Sequence, residues 1–354
     1  MLKAHVARSR ECPLVIICLG SNWISAKASY YAALLDIVIA TSHRWRSLTI
    51  TVNYGGFKFV IARLGRTVFP LLTHLSISRN WLRRPKFLYP ECVPALKHLE
   101  AFVTVYTPPF PSALEELAIG SPDYPLTRTP CFLQLPSVQG LRALSFRGHT
   151  GEWRIQHNSI YLPLTRLSFD VSHAEQLLRV LSVPRLTHVD YQQRNDETLF
   201  TAFNGISSKW TNVHELRLKL PLRTNDSTQE DYHAGLEVLC LAAPEVWGME
   251  VVAEDLDELL ECGEGLYPID HWVHLERFTV IGSVHQLNDT GRYIVPWLKQ
   301  RKDTGRPALK FGFSLVNGDK AELGTIVLDD VGRYCDSVDL ETISALPTFT
   351  TVDF

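Results

Sequence analysis

The sequence predicts an α/β fold, a horseshoe-like solenoid with one curved, mainly parallel sheet and helical or loop connections. Three observations carry this expectation: a short apolar string that recurs nine times, its near-regular spacing, and prolines standing just ahead of it. The string is an apolar residue, two others, an apolar residue, one other, and an apolar residue. It appears as Trp45-Arg-Ser-Leu48-Thr-Ile50, Leu72-Thr-His-Leu75-Ser-Ile77, Leu96-Lys-His-Leu99-Glu-Ala101 and Leu114-Glu-Glu-Leu117-Ala-Ile119. Leu141-Arg-Ala-Leu144-Ser-Phe146, Leu164-Thr-Arg-Leu167-Ser-Phe169 and Leu186-Thr-His-Val189-Asp-Tyr191 follow, then Val213-His-Glu-Leu216-Arg-Leu218 and Leu275-Glu-Arg-Phe278-Thr-Val280.

The middle positions of the first eight copies are spaced by 27, 24, 18, 27, 23, 22 and 27 residues. All but one of these intervals lie in the range of leucine-rich repeats, roughly 20–29 residues. The next interval, 62 residues, has room for two degenerate copies or one insertion, with Val246 to Val251 as a weak candidate. Pro70, Pro94, Pro111, Pro136, Pro163 and Pro184 precede copies. Proline lacks an N–H and belongs at the start of a strand rather than in its middle. Two copies end on an asparagine, Asn53 and Asn80, whose amide can cap the backbone where the chain leaves the strand.

Residues 1–41 read as an N-terminal cap, with a strand at Leu14 to Leu19 and a helix near Ala28 to Ala40 that turns Tyr31, Leu34, Leu35 and Val38 inward. Residues 42–282 form the repeats. Within them Ser172-His-Ala-Glu175 has the spacing of a capping box before Leu177, Leu178 and Leu181. Leu199, Phe203 and Ile206 share a helical face, as do Leu256, Leu259 and Leu260. Residues 283–354 read as a C-terminal cap, with a helix near Tyr293 to Arg301 and strands near Leu309 to Val316 and Thr325 to Leu328. Each repeat buries its apolar residues only against its neighbours, so the three parts are expected to pack as one continuous domain.

The 354 residues are 45% hydrophobic and 21% charged, which speaks against disordered and fibrous classes. No apolar run reaches the roughly 18 residues of a membrane span, and no signal-peptide pattern precedes Leu14 to Leu19. Seven cysteines at wide, irregular spacings make neither a metal finger nor a disulfide framework. They read as free, mostly buried thiols of an intracellular protein, cytoplasmic or nuclear. The sequons Asn225-Asp226-Ser227 and Asn288-Asp289-Thr290 read as unused.

Charge is uneven along the chain. Residues 1–90 carry 13 Lys and Arg against Glu11 and Asp36, whereas Glu245 to Glu264 holds eight acids and no base. The sharpest basic cluster, Arg79, Arg83, Arg84 and Lys86 around Trp81, has the composition of a nucleic-acid or phosphate-binding patch. A solvated face explains it more simply. No GxGxxG, P-loop, GxSxG or HExxH occurs. His271 and His274 lack a third metal ligand, and Asp255, Asp257, Glu258 and Glu261 lack the glycine and spacing of a calcium loop. The expectation is a non-catalytic chain without metal or cofactor.

Several phrases are more specific. They are Arg8-Ser-Arg-Glu-Cys-Pro-Leu14, Ser42-His-Arg-Trp-Arg-Ser-Leu-Thr49, Phe69-Pro-Leu-Leu-Thr-His-Leu75, Leu162-Pro-Leu-Thr-Arg-Leu167 and Val295-Pro-Trp-Leu-Lys-Gln-Arg301. Together they resemble a family of fungal, mostly basidiomycete, F-box-like proteins with leucine-rich repeats. The resemblance implies a substrate-recognition half of a ubiquitin-ligase adaptor. An F-box itself takes roughly 40–50 residues at ordinary helix lengths, and eleven residues precede Cys12. A cullin-type ligase is therefore expected as a partner only if an F-box precedes this sequence; otherwise the partner is an unknown protein.

Residues alternating with the buried ones should line the exposed, concave face of the sheet. The expected partner-binding row is His74, His98, Glu100, Arg147, Arg166, Asp170, His188, Asp190, Gln192, Glu215, Arg217 and Lys219, interspersed with Thr49, Ser76, Glu116 and Ser145. It is polar and mixed in sign, which suits recognition of a protein by matched charges, with arginine as anchor. The alternative site is the basic patch, Arg79, Trp81, Arg83, Arg84 and Lys86, acting on nucleic acid or phosphate.

Overall fold

Wherever the apolar string recurs, successive side chains alternate between two faces and the chain forms a strand. A computed structural model describes residues 2–20, 28–81, 85–103, 110–121, 138–149, 159–172, 174–192, 199–220, 229–260, 267–318, 323 and 325–344. The fold is mixed α/β, and the chain divides into two compact units, Met1–Leu164 and Thr165–Phe354.

In the first unit six strands lie side by side in chain order: β1 (Leu14–Gly20), β2 (Trp45–Val52), β3 (His74–Trp81), β4 (His98–Val103), β5 (Glu116–Ser121) and β6 (Ala143–His149). Each pairs parallel with the next. The register matches the strings leucine for leucine, so Leu48, Leu75, Leu99, Leu117 and Leu144 form one row. All five are at most 4% exposed, and each such burial stabilises by roughly 1.5–3 kcal/mol. Parallel strands need covered crossovers. Here α1 (Leu2–Arg8) and α2 (Ala28–Ile39) flank β1, and α3 (Tyr54–Leu64) follows β2, with Phe57, Val60 and Leu64 buried. Asn53 caps α3, its side chain accepting from Gly56 N at 2.8 Å, as its place after the strand suggested. In α2, Leu35 is buried, and Tyr31, Leu34 and Val38 are half-buried.

The second unit repeats the arrangement with seven strands: β7 (Arg166–Ser172), β8 (His188–Gln192), β9 (Glu215–Lys219), β10 (Gly248–Val252), β11 (Arg277–Gly282), β12 (Lys310–Val316) and β13 (Ser337–Ile343). Each pairs parallel with the next. Leu167, Val189, Leu216, Met249, Phe278 and Phe311 form its buried row. Met249 shows that the weak candidate at 246–251 is a strand. Behind the sheet lie α4 (Glu175–Val180), α5 (Leu199–Phe203), α6 (Gln229–Ala242), α7 (Leu256–Leu260), α8 (Val284–Asp303) and α9 (Thr325–Gly332). Helix α8 buries Leu287, Thr290, Ile294, Trp297, Leu298 and Arg301, the spacing of one helical face.

Two devices recur at the start of the strands. The first is a turn that closes on the leading apolar residue. Leu72 N donates to Phe69 O, Leu96 N to Val93 O, Leu186 N to Val183 O, Val213 N to Trp210 O and Leu275 N to Trp272 O, at 3.0–3.2 Å. Pro70, Pro94 and Pro184 occupy the second position of such turns, where a fixed φ is an advantage. The first turn residue is itself buried: Phe69, Val93, Val183, Trp210 and Trp272 are at most 4% exposed. The second device is a shared carbonyl. Thr73 O accepts from Lys97 N and His98 N, Lys97 O from Glu115 N and Glu116 N, Thr187 O from His214 N and Glu215 N, and Trp247 O from Glu276 N and Arg277 N.

Two expectations are corrected. Residues 325–328 lie in helix α9, not a strand. Their β-branched run suggests a strand, but Val331 is buried and Val327 packs near Gly291 of α8, which is a helical spacing. The strand that follows is instead β13, in which half-buried Val338 and Leu340 alternate with exposed Asp339 and Glu341. The box at Ser172–Glu175 does not form, since Ser172 ends β7 and Ala174 is the N-cap of α4 without a side-chain bond. A complete capping box opens α8 instead, where Ser283 and Gln286 cap each other's backbone. Cys12, Cys18, Cys92, Cys240 and Cys335 are free thiols; Cys92 and Cys240 are buried, Cys12 is exposed, and Cys131 and Cys262 lie outside the described residues.

The segments 8–14 and 42–49 meet in the first unit. Arg44, 6% exposed, donates to Cys12 O at 2.8 and 3.1 Å and to Ser9 Oγ at 2.7 Å. The segment around Trp297 serves a buried polar centre. Asp270 Oδ1 accepts from Trp297 Nε1 at 3.1 Å and lies 3.3 Å from Arg301 Nη1 and 3.2 Å from Arg306 Nη1. Arg301 also donates to Leu275 O and Pro307 O.

Candidate functional site: the polar face of the strands

The residues between the buried ones emerge on the opposite face of each sheet, and their registers set the geometry of the site. In the first unit His74, His98 and Glu116 stand in one row on β3, β4 and β5. The imidazoles of His74 and His98 stack at 4.2 Å with planes 8° apart, and His98 Nδ1 lies 2.9 Å from Glu116 Oε2. Burial, and then His98, push His74 below the ordinary imidazole range against the pull of Glu116, so its ring is neutral at pH 7. Two residues along β3 and β4, Ser76 Oγ donates to Glu100 Oε2 at 2.7 Å, and from β6 Arg147 Nη1, one row further on, donates to Glu100 Oε1 at 3.0 Å.

The Thr-His pair of two strings builds the same local contact twice. Thr73 Oγ1 donates to Arg46 O at 3.2 Å and sits 2.7 Å from His74 Nδ1. Thr187 Oγ1 donates to Thr165 O at 3.0 Å and sits 2.8 Å from His188 Nδ1. A hydroxyl has one proton to give. The hydroxyl therefore serves either the carbonyl or the ring as donor, and the tautomer of each imidazole goes with that choice. Burial is also the first cause that lowers the pKa of His188.

In the second unit the face is a set of matched charges. Arg166 Nε donates to Asp190 Oδ2 at 3.1 Å, and Asp190 is 4% exposed. Arg217 Nε donates to Glu250 Oε2 at 2.6 Å. Glu215 on β9 receives Arg277 Nη2 from β11 at 2.6 Å on both oxygens, across the intervening β10. The bridge passes over Gly248, where a Cβ would stand 2.3 Å from Glu215 Oε2 and 2.9 Å from Arg277 Nη2. The guanidinium of Arg277 also lies 5.1 Å above the Trp247 ring. Asp170, Gln192 and Lys219 are half-buried on the same strands.

Every expected row residue thus lies on a described strand, and most are engaged with other side chains of this chain. Arg166 and Arg217, expected as partner anchors, bond carboxylates of this chain. Glu250 and Arg277 were missed, although each holds the same place in its string as Arg217 and Glu215. The side chains of Arg79 and Trp81, together with Arg83 and Arg84, lie outside the described residues, and Lys86 is exposed. Asp255 is turned inward rather than toward a cation: it is 3% exposed and accepts from Leu220 N at 2.8 Å. Glu261 lies outside the described residues. His274 Nε2 is 3.9 Å from Glu245 Oε2. Among the described residues no three His, Cys, Asp or Glu side chains converge as metal ligands would, and no helix is long and apolar enough to cross a membrane.

No protein-family model matches this chain, and no curated protein matches it.

Proposed function

We propose that the chain is a leucine-rich-repeat solenoid that serves as a non-catalytic, protein-binding scaffold, and that its polar sheet face holds the partner. The observation that carries this reading is the row of His74, His98 and Glu116 with the Ser76–Glu100–Arg147 network beside it. Parallel register holds these side chains in place before any partner arrives, and preorganised side chains lose less entropy on binding. The strand-by-strand repetition of buried leucines supports the repeat class. The resemblance of the quoted phrases to fungal F-box-like proteins suggests the role of substrate recognition for a ubiquitin ligase, which requires an F-box ahead of this sequence.

The test compares partners captured by the full chain with those captured by a variant carrying His98→Ala, Arg147→Ala and His188→Ala. Loss of a partner from the variant, with its thermal unfolding unchanged, is the expected result. Equal recovery of every partner by both proteins would sink the reading.

A further inference from the structure

Away from the polar face, the end of α8, the segment after it and the end of α9 enclose a cavity of about 170 Å³. Its wall carries Arg301, Lys302, Arg306, Arg333 and Tyr334 and no acidic side chain. We propose that this cavity is a binding site for a phosphoryl dianion, the terminal group of a phosphate monoester.

The argument is one of charge and size. Four cations line the space, and two carboxylates answer them from outside it. Asp270 is shared by Arg301 and Arg306, and Asp330 lies 2.9 Å from Arg333. Lys302 Nζ rests 5.5 Å above the Tyr334 ring. Asp336 lines an adjoining cavity that shares Arg333 and Cys335 with this one, and so offsets part of the charge from one side. Burial, and then Asp336, push the Cys335 thiol up to about 12, so the one thiol in the wall adds no negative charge at neutral pH. With Asp270, Asp330 and Asp336 all counted, positive charge still exceeds negative around a partly closed space. Basic residues in a helix's last turn complement its dipole. That accounts for Arg301 and Lys302, but Arg306 and Arg333 come from other segments and converge on the same cavity.

The donors differ in what they have left to give. Arg301 spends its three nitrogens on Asp270, Leu275 O and Pro307 O, and so acts as a fixed charge in the wall. Arg306 is anchored through Nη1, which donates to Asp270 O at 2.8 Å. Its remaining nitrogens, with Lys302 and Arg333, supply donors from three segments, the arrangement that suits a tetrahedral dianion. The volume is below the roughly 300–1,000 Å³ of sites that enclose whole cofactors, so a phosphoryl group fits and a nucleotide does not.

The test is titration calorimetry of the full chain at low salt with three probes: inorganic phosphate, glycerol phosphate and a short phosphoserine peptide. Saturable binding is expected, weakened at least tenfold in Lys302→Gln/Arg333→Gln and lost in Arg306→Gln. Lys302 and Arg333 are exposed, so the double variant tests the site even if Arg306→Gln unfolds. Tighter binding of the peptide assigns the group to a phosphorylated side chain, and equal or tighter binding of the small esters to a free metabolite; either sustains the proposal. Absence of binding by all three probes, or binding within twofold of wild type in the double variant, overturns it.

Discussion

Asp270 and Asp255 lie in the same unit and are almost equally buried, at 4% and 3% exposure. Their surroundings differ. Asp270 receives an indole N–H and stands against two guanidiniums. Among the described residues Asp255 receives one backbone N–H, from Leu220, and burial pushes its carboxyl up to about 7 despite that bond. The pair teaches that depth alone does not decide what a buried acid does for a fold; the number and charge of its partners do.

Removing one partner of the richer centre is the harshest way to break this comparison. Arg301→Met leaves Asp270 with fewer donors and frees two backbone carbonyls, and should lower stability in urea by about 3–5 kcal/mol. A loss below about 1 kcal/mol would mean that burial, not pairing, governs both sites.

The poorer centre should respond in the opposite direction, and with pH. The folded pKa of Asp255 lies above its unfolded value, so its favourable contribution is present at acid pH and fades as pH rises from about 4 through about 7. Asp255→Asn keeps an acceptor for Leu220 N and removes that dependence. It should raise stability at pH 8 by an amount on the order of 1–3 kcal/mol and leave stability at pH 4 nearly unchanged. A variant whose unfolding free energy keeps the wild-type slope between pH 4 and 8 would show that another group titrates.

Two pairs at lesser depth extend the series. Arg166→Ala strands the buried carboxylate of Asp190, whose partner is itself 39% exposed, and should cost about 1–2 kcal/mol in thermal or urea unfolding. Lys97→Ala breaks a pair 48% and 34% exposed and should cost no more than about 0.5 kcal/mol, an effect that 1 M salt erases. A ranking of these two opposite to their burial would break the rule drawn from the aspartates.

How much of this was legible in the sequence depends on the kind of contact. The nine strings read as strands because Leu75, Leu144, Leu167 and Leu216 serve one repeated purpose, burial in a row, and period two shows it directly. The turn ahead of each strand was half legible. Proline marks it, but Phe69, Trp210 and Trp272 fill its first position with different residue types, which no fixed pattern registers. Strand β13 was missed although Val338 and Leu340 alternate with Asp339 and Glu341, because Cys335 stands three places ahead where the nine strings have Leu, Val or Trp. The face residues could be placed by alternation alone. Their partners could not, since Glu215 and Arg277 are 62 positions apart and meet only because Gly248 leaves the space between them.

The turn that closes on each leading leucine has a consequence for how such a chain can change in length. Strings 18 and 27 residues apart both feed their strands in matched parallel register. Upstream of the turn, residues can be gained or lost without shifting the strand that follows, because the strand takes its alignment from the turn and from the shared carbonyl of its neighbour. Each turn is thus a natural splice point. Exchanging everything between one turn and the next replaces a connection while leaving untouched the register on which the polar face depends.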